Sequence, residues 1–429
     1  MTLTLDQRDA VKALSLPAIM ILGGSAFLAL GIATGFVNVS IDRFYGSIDN
    51  VMYNSLCLGM VMCYATMPFR RGEALWVYSL GLAGEVYRFF WSHPASWSTF
   101  DRFGAVGFAA ALCAICGMAW RFFNSRGDER LWARGMFLLS LVMLFFPHVS
   151  TWLHIVVIHH APMVYDQFGY KVDGTFGFQP AAEAARIMRN GTVMPYIAFY
   201  TYNELPLLMI TAVLLGLKNP ESTYGHLTLH FMVIGTVGFL CYWLFPMIGI
   251  NLFVGDANFP NGPLPLVTTP VPYHEAIGYA RNCYPSLHLG WTLAVFLGVR
   301  RVDPRVRVFL FLYVCTMILS TLNVGHYGVD LVGSVPYVVA FFGAVNRQSG
   351  RNRLSRMVSF GLGGGLFAVW SALVFHAPVF ASTHPAVTFS TVCLVVVGSL
   401  VLEDWLANST VDVMEDRNAM PGVAELELV

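Results

Sequence analysis

Apolar runs of roughly 20 residues recur along the chain, the length a helix rising 1.5 Å per residue needs to cross a hydrocarbon layer of about 30 Å. Inside hydrocarbon the backbone N–H and C=O groups have no water to bond, so only α-helices and closed β-barrels can span it. Barrel strands would show short segments alternating in polarity, whereas these runs are continuous. Composition agrees: 56% of the 429 residues are hydrophobic and 12% are charged, against about a quarter charged in soluble domains. The expected fold is all-α and integral to the membrane, a polytopic bundle of about 12 transmembrane helices. The spans read as 16–36, 51–67, 74–90, 104–120, 136–158, 196–217, 229–250, 287–299, 308–322, 327–345, 358–375 and 387–406.

Positive loop residues are retained on the cytoplasmic side of a membrane. When the loops are assigned to alternate sides, most Lys and Arg, including Arg70, Arg71, Arg126, Arg130, Arg305, Arg351 and Arg353, fall with the N-terminus. The opposite side holds only Arg43, Arg102, Lys171, Arg186, Arg189 and Arg281. Both termini are therefore expected in the cytoplasm. The spans divide the chain into an N-terminal transmembrane module (1–158), an extracytoplasmic segment (159–195), a core (196–346), a C-terminal helical pair (347–406) and a cytoplasmic tail (407–429). In the first outer segment 180–188 (PAAEAARIM) reads as an interfacial helix. In the second, the five prolines between 259 and 272 read as an ordered extended cover.

The 25 Lys and Arg balance the 25 Asp and Glu without forming a basic stripe, which argues against a nucleic-acid partner. Of the 8 cysteines, all but Cys283 lie in apolar runs, so no disulfide framework is expected. The Cys113 and Cys116 pair reads as helix packing.

Two segments carry chemistry. Asn282-Cys283-Tyr284-Pro285-Ser286-Leu287-His288 opens a span with a Pro-Ser pair and places a histidine in its first turn. Ser can cap the helix, and the N–H groups of the first turn, at the positive end of the dipole, favour an anion. Ser286 is thus a candidate for holding a phosphate beside His288. The second segment, Asn323-Val324-Gly325-His326-Tyr327-Gly328-Val329-Asp330, falls at the same predicted face. His326 and Asp330 are four apart and share one side of a helix. A carboxylate that accepts a hydrogen bond from one imidazole nitrogen fixes the tautomer and leaves the other nitrogen as a nucleophile. Two histidines on neighbouring helix ends can face one phosphoester, one attacking phosphorus and the other protonating the departing oxygen.

PSLH at 285–288 resembles the second signature (PSxH) of the type 2 phosphatidic acid phosphatase superfamily, and HYGVD at 326–330 resembles the end of its third (HxxxD). The resemblance covers residues 196–345 and implies a helical membrane enzyme that acts on a lipid phosphoester without cofactor or metal. It implies His326 as the nucleophile, Asp330 as the residue that orients it and His288 as the acid. The third signature's Ser-Arg pair is replaced by Leu319 and Ser320, and no first signature is recognisable. Arg281, just before PSLH, is then the first candidate for the cation that neutralises the phosphate, with Lys171, Arg186 and Arg189 in reserve. Loss of the arginines with both histidines and the aspartate retained is similar to the sphingolipid-synthase branch. PSLH followed by HYxxDLxG resembles the inositol phosphorylceramide synthases most closely. That resemblance implies transfer of a phospho-alcohol head group, such as inositol phosphate, from a phospholipid donor to a hydroxylated lipid acceptor through a phosphohistidine. The alternatives are hydrolysis of a phosphorylated lipid and, from another class, a transporter, which would carry inverted repeats and paired broken helices.

His148, His154, His159 and His160 cluster near one span end, but without a Cys or a close carboxylate pair they do not make a metal set. Asn203 and Glu204, inside a predicted span, need a protein partner or a cavity. Glu85 and Arg88, three apart in another, are expected to pair with each other.

Overall fold

The structure, a computed structural model, describes residues 1–33, 51–92, 107–218, 227–255, 258–261, 274–275, 280–299, 303–345 and 353–419. The proline-rich cover from 262 to 272, the loop cations Arg43, Arg102 and Arg351, and the chain after 419 lie outside the described residues.

The first helices are α1 (Leu5–Ala13), α2 (Ser15–Ala33), α3 (Val51–Ala65), α4 (Arg71–Tyr87), α5 (Phe108–Asn124) and α6 (Gly127–His160). Strand β1 (Met163–Val164) and helices α7 (Asp166–Asp173), α8 (Pro180–Met188), α9 (Met194–Asn203), α10 (Leu205–Lys218), α11 (Leu227–Leu244) and α12 (Ile250–Val254) follow. Then come β2 (His274–Glu275), α13 (Leu287–Gly298), α14 (Pro304–Asn323), α15 (Gly328–Val345), α16 (Arg353–His376), α17 (Pro378–Thr383) and α18 (Pro385–Ala419). The architecture is helical, as expected. Among the described residues its one sheet is the antiparallel pair β1–β2, in register Met163 to Glu275 and Val164 to His274, which ties the segment after α6 to the one after α12.

Among the described residues seven helices are long and apolar enough to cross a membrane: Asp6–Phe27, α6, α11, α14, α15, α16 and the Pro385–Ala407 part of α18. The pair α9 and α10, bent by 52°, makes an eighth if counted as one span. The expectation of about 12 spans is not confirmed by these helices. Helices do form in the other apolar runs, but they are short: α13 has 12 residues, about 18 Å at 1.5 Å per residue. Helix α3 has 15 residues, and α4 and α5 have 17 each. Hydropathy locates apolar side chains, while caps decide where a helix starts; Ser286 sets the start of α13 by accepting the Leu289 N–H. Helix α18 runs past its apolar part, which ends at Ala407, to Ala419.

The fold divides into two compact units. The first holds Met1–Val156 and Phe199–Thr223, so α10 joins it and not the core that the sequence suggested. Helix α1 is closed by a capping box between Thr4 and Gln7. A buried ion pair joins Arg121 to Glu73 at 2.6 Å, and Arg121 also donates to the Pro68 carbonyl. Glu85 and Arg88 stand 4.0 Å apart, and the Glu85 carboxylate also accepts the Ala110 N–H. Glu204 lies at the break between α9 and α10 and accepts the Ser55 hydroxyl. Asn203 donates to the Phe199 carbonyl one turn back.

The second unit is chiefly Val157–Ala198 and His230–Val429. Helix α15 is buried along most of its length and is tied to α11 through Tyr337, whose hydroxyl donates to the Ile234 carbonyl at 2.6 Å. Glycines let α15 and α16 touch, as small residues do where helices cross in lipid. A Cβ on Gly343 would stand 2.6 Å from the Phe360 nitrogen and 2.7 Å from the Arg356 carbonyl oxygen, and neither is a side chain that can swing away. Gly343→Ala is therefore expected to lower the melting temperature in detergent, with a cost of about 1–3 kcal/mol for overpacking. Gly364→Ala, whose Cβ would meet nothing within 4 Å, should leave it unchanged or raise it; equal losses in both variants would refute the close crossing.

Candidate active site

The Pro-Ser turn is built as its residues dictate. Ser286 has extended backbone angles and its Oγ accepts the Leu289 N–H at 3.4 Å, the bond of an N-cap. Its own N–H donates to the Asp330 carbonyl at 3.4 Å. Ser334, one turn into α15, donates to both the Ser286 carbonyl (3.0 Å) and the Asp330 carbonyl (2.7 Å). The starts of α13 and α15 are thus stitched together at one end of the unit. His288, half-buried in the first turn of α13, meets the Trp291 ring edge to face at 6.2 Å. Trp291 in turn donates to the Phe231 carbonyl of α11.

His326 sits at the entry to α15. Gly325, with φ of +109°, takes a backbone conformation that a side chain would strain, and its carbonyl accepts the Ile250 N–H at 2.7 Å. His326 and Asp330 are both buried, and the histidine Nδ1 lies 3.4 Å from the aspartate Oδ2. The same Oδ2 accepts the Tyr327 N–H at 2.8 Å, which orients the carboxylate toward the ring. The expected side-by-side placement of residues four apart is found, and the carboxylate stands where it can hold one imidazole nitrogen.

Behind this turn, Trp370 of α16 donates to the Val329 carbonyl at 2.9 Å. Tyr284 shares a hydrogen bond of 2.7 Å with Ser371 and lies flat against Gly333, where a Cβ would come within 2.9 Å of its ring.

Arg281 is fully buried, and its guanidinium donates to the Ala161 carbonyl at 3.1 Å and the Pro162 carbonyl at 3.3 Å. Burial lowers its pKa and the Asp166 charge opposes that shift. The structure therefore ties this arginine, the first candidate for the cation that neutralises the phosphate, to the chain after α6. Two of the reserve cations are also committed: Arg186 pairs with Glu183. Arg189 donates to the side chain and carbonyl of Asn323, at the end of α14, and lies 5.1 Å over the Phe259 ring.

Two carboxylates that the sequence reading passed over stand closest to the histidine turn. Asp166 accepts the N–H groups of Ile248 and Gly249 and the Tyr327 hydroxyl. Asp173 accepts the N–H groups of Gly328 (2.6 Å) and Val329 (3.0 Å), the first two of α15. Burial pushes Asp166 up to about 6 against the pull of the Ile248 and Gly249 amides. It pushes Asp173 up to about 8, with the Gly328 amide opposing and the nearby Asp330 adding to the rise. The available signal was the spacing Asp166, Gly169, Asp173 on one face of an amphipathic helix.

Cys283 is buried in the same place, and burial raises its thiol well above the ordinary range. Ligand atoms of Cys283, His326 and Asp330 lie within 4.8 Å of one another, so these are the residues that could hold a cation there. Among the described residues the histidines at 148, 154, 159 and 160 form no such group; His154, for example, bonds the Ser150 carbonyl.

Helices able to cross a membrane and a buried histidine–carboxylate pair joined to a Pro-Ser helix start define the class: a helical, membrane-compatible protein with a polar centre at one end of its second unit. Residues 167–344 match the model of the PAP2 superfamily, whose members are generally phosphatases or phosphotransferases acting on phosphoesters. The matched region contains Asp173, Arg281, Ser286, His288, His326 and Asp330. No curated protein and no solved structure matches the chain.

Proposed function

We propose that this protein is a membrane lipid phosphotransferase that moves a phospho-alcohol head group from a phospholipid to a hydroxylated lipid through an adduct on His326. The observation that supports it most is the pairing of His326 with Asp330 beside the start of α13, which carries His288. Asp330 holds the proton on Nδ1 and leaves Nε2 to attack phosphorus. The bond from phosphorus to the donor's lipid oxygen breaks, and His288 gives that oxygen its proton. The product is a phosphoramidate on Nε2 that still carries the head group. In the second half His288 takes the proton of the acceptor hydroxyl, whose oxygen attacks phosphorus and releases His326.

The phosphoester is placed at the N-terminal end of α13, where Ser286 caps the helix and the dipole favours an anion. Arg281 contributes positive charge from its fixed position behind the loop, opposite Asp166. The arginine-poor third signature and the HYxxDLxG pattern favour the inositol phosphorylceramide synthase type of reaction over hydrolysis. The charge segregation of the loops puts the site at the extracytoplasmic face, with both termini in the cytoplasm.

Purified protein supplied with a phospholipid labelled in its head-group phosphate and with a hydroxylated lipid tests the assignment. Label in the acceptor lipid is the expected result. Water-soluble label alone would make the protein a phosphatase, and no release of label from any phospholipid would refute phosphoester chemistry.

A further inference from the structure

Helix α7 belongs to the outer segment between α6 and α9, far in sequence from either signature, yet its polar face lies against the residues that carry His326. Asp166, Gly169 and Asp173 are spaced three and four apart, so they share one side of the helix. Asp166 takes the Tyr327 hydroxyl, 161 positions away, at 3.1 Å. Asp173 takes the Gly328 and Val329 N–H groups, 155 and 156 positions away. Between them Gly169 packs tightly: a Cβ there would first meet the end of the Met247 side chain and would lie 3.3 Å from both the Tyr327 ring and the Val329 side chain. Both carboxylates are at most 3% exposed.

Building on the nucleophile assignment above, we infer that α7 is a clamp and that Asp173 is a positioning residue, one that sets the aim of His326 by fixing the first turn of α15. The geometry gives the reason. His326 and Asp330 flank the very residues whose amides Asp173 holds, so the separation of Nδ1 from Oδ2 depends on how tightly Gly328 and Val329 are pinned. The first N–H groups of a helix have no partner within it, and a carboxylate that accepts two of them fixes both the direction of the axis and the phase of the first turn. Asp166 secures the same clamp from its other end and joins it to the amides of 248 and 249. Neither aspartate needs to touch the substrate. Their effect falls on the rate of the step at phosphorus and leaves the affinity for lipid nearly unchanged.

The experiment measures kcat and KM of the full-length protein in detergent micelles with the labelled phospholipid as donor. Asp173→Ala is expected to lower kcat by about 100-fold, the order of loss that a misplacement of about 1 Å causes, with KM within about threefold of the parent. Asp173→Asn should recover part of the loss, because its one carbonyl oxygen can accept one of the two N–H groups. Gly169→Leu, which alters no charge, should reproduce the kcat loss by lifting α7 from Tyr327. Melting curves separate this from unfolding, and Asp173→Asn remains informative if the alanine variant does not fold. Parental kcat in both Asp173→Asn and Gly169→Leu, alongside an inactive His326→Ala, would refute the clamp and leave the nucleophile assignment standing. Turnover that survives His326→Ala would refute the nucleophile assignment and, with it, the clamp as a device for aiming that residue.

Discussion

His326→Ala is expected to lower turnover by at least about 10⁴-fold, since removing a nucleophile in other covalent catalysts costs between that and about 10⁶-fold. The ring is buried and faces the Asp330 carboxylate at 3.4 Å, and no second imidazole lies four residues from a buried carboxylate in this turn. Rapid quenching of the parent with labelled phospholipid should trap label on protein that is stable to alkali and lost in acid, as a phosphoramidate is. His326→Ala should trap none. His288→Ala should still trap some, more slowly, because the leaving oxygen would then depart without its acid. Label retained on the His326→Ala protein would assign the adduct to another residue and overturn the mechanism.

Asp330→Asn should separate activity from stability. The carboxylate accepts the Tyr327 N–H through Oδ2, and that oxygen also faces His326 Nδ1. An asparagine that turns its N–H₂ to the Oδ2 place sets a donor against the Tyr327 N–H and favours the wrong tautomer, and one that turns its oxygen there lacks the charge that steadies an imidazolium. A loss on the order of 10⁴-fold in kcat is the precedent for such a change beside a catalytic histidine. The residue is fully buried, and an ionised carboxylate is costly to bury without a matching cation. Replacing it by a neutral isostere should therefore leave the melting temperature equal to the parent's or higher. A variant that is both active and less stable would show that Asp330 serves the fold and not the histidine.

The sequence made legible what local pattern encodes. Glu85 with Arg88 and His326 with Asp330 are pairs one helical turn apart, and both are found close together. The Pro-Ser start of α13 declared its cap in the same way. The number of spans was less legible, because an apolar run says nothing about how many of its residues a helix will use. The run ending near Val299 yields only 12 helical residues between the Ser286 cap and Gly298. Arg281 read as the first candidate for a phosphate-binding cation from its place just before PSLH, and that place cannot reveal that its guanidinium donates to the carbonyls of Ala161 and Pro162. Asp166 and Asp173 escaped for the same reason. In a loop segment a carboxylate looks solvated, and their partners lie between 82 and 161 positions further on.

That distance has a consequence for biosynthesis. At about 5–20 residues per second, the 161 positions between Asp166 and Tyr327 take roughly 8–30 s to emerge from a ribosome. Throughout that interval Asp173 has no amide to bind, and Asp166 gains only those of Ile248 and Gly249, 82 and 83 positions on. The turn that carries His326 and Asp330 is not pinned by Asp173 until Gly328 and Val329 have been made, so a nascent chain halted before that point is expected to lack the assembled pair.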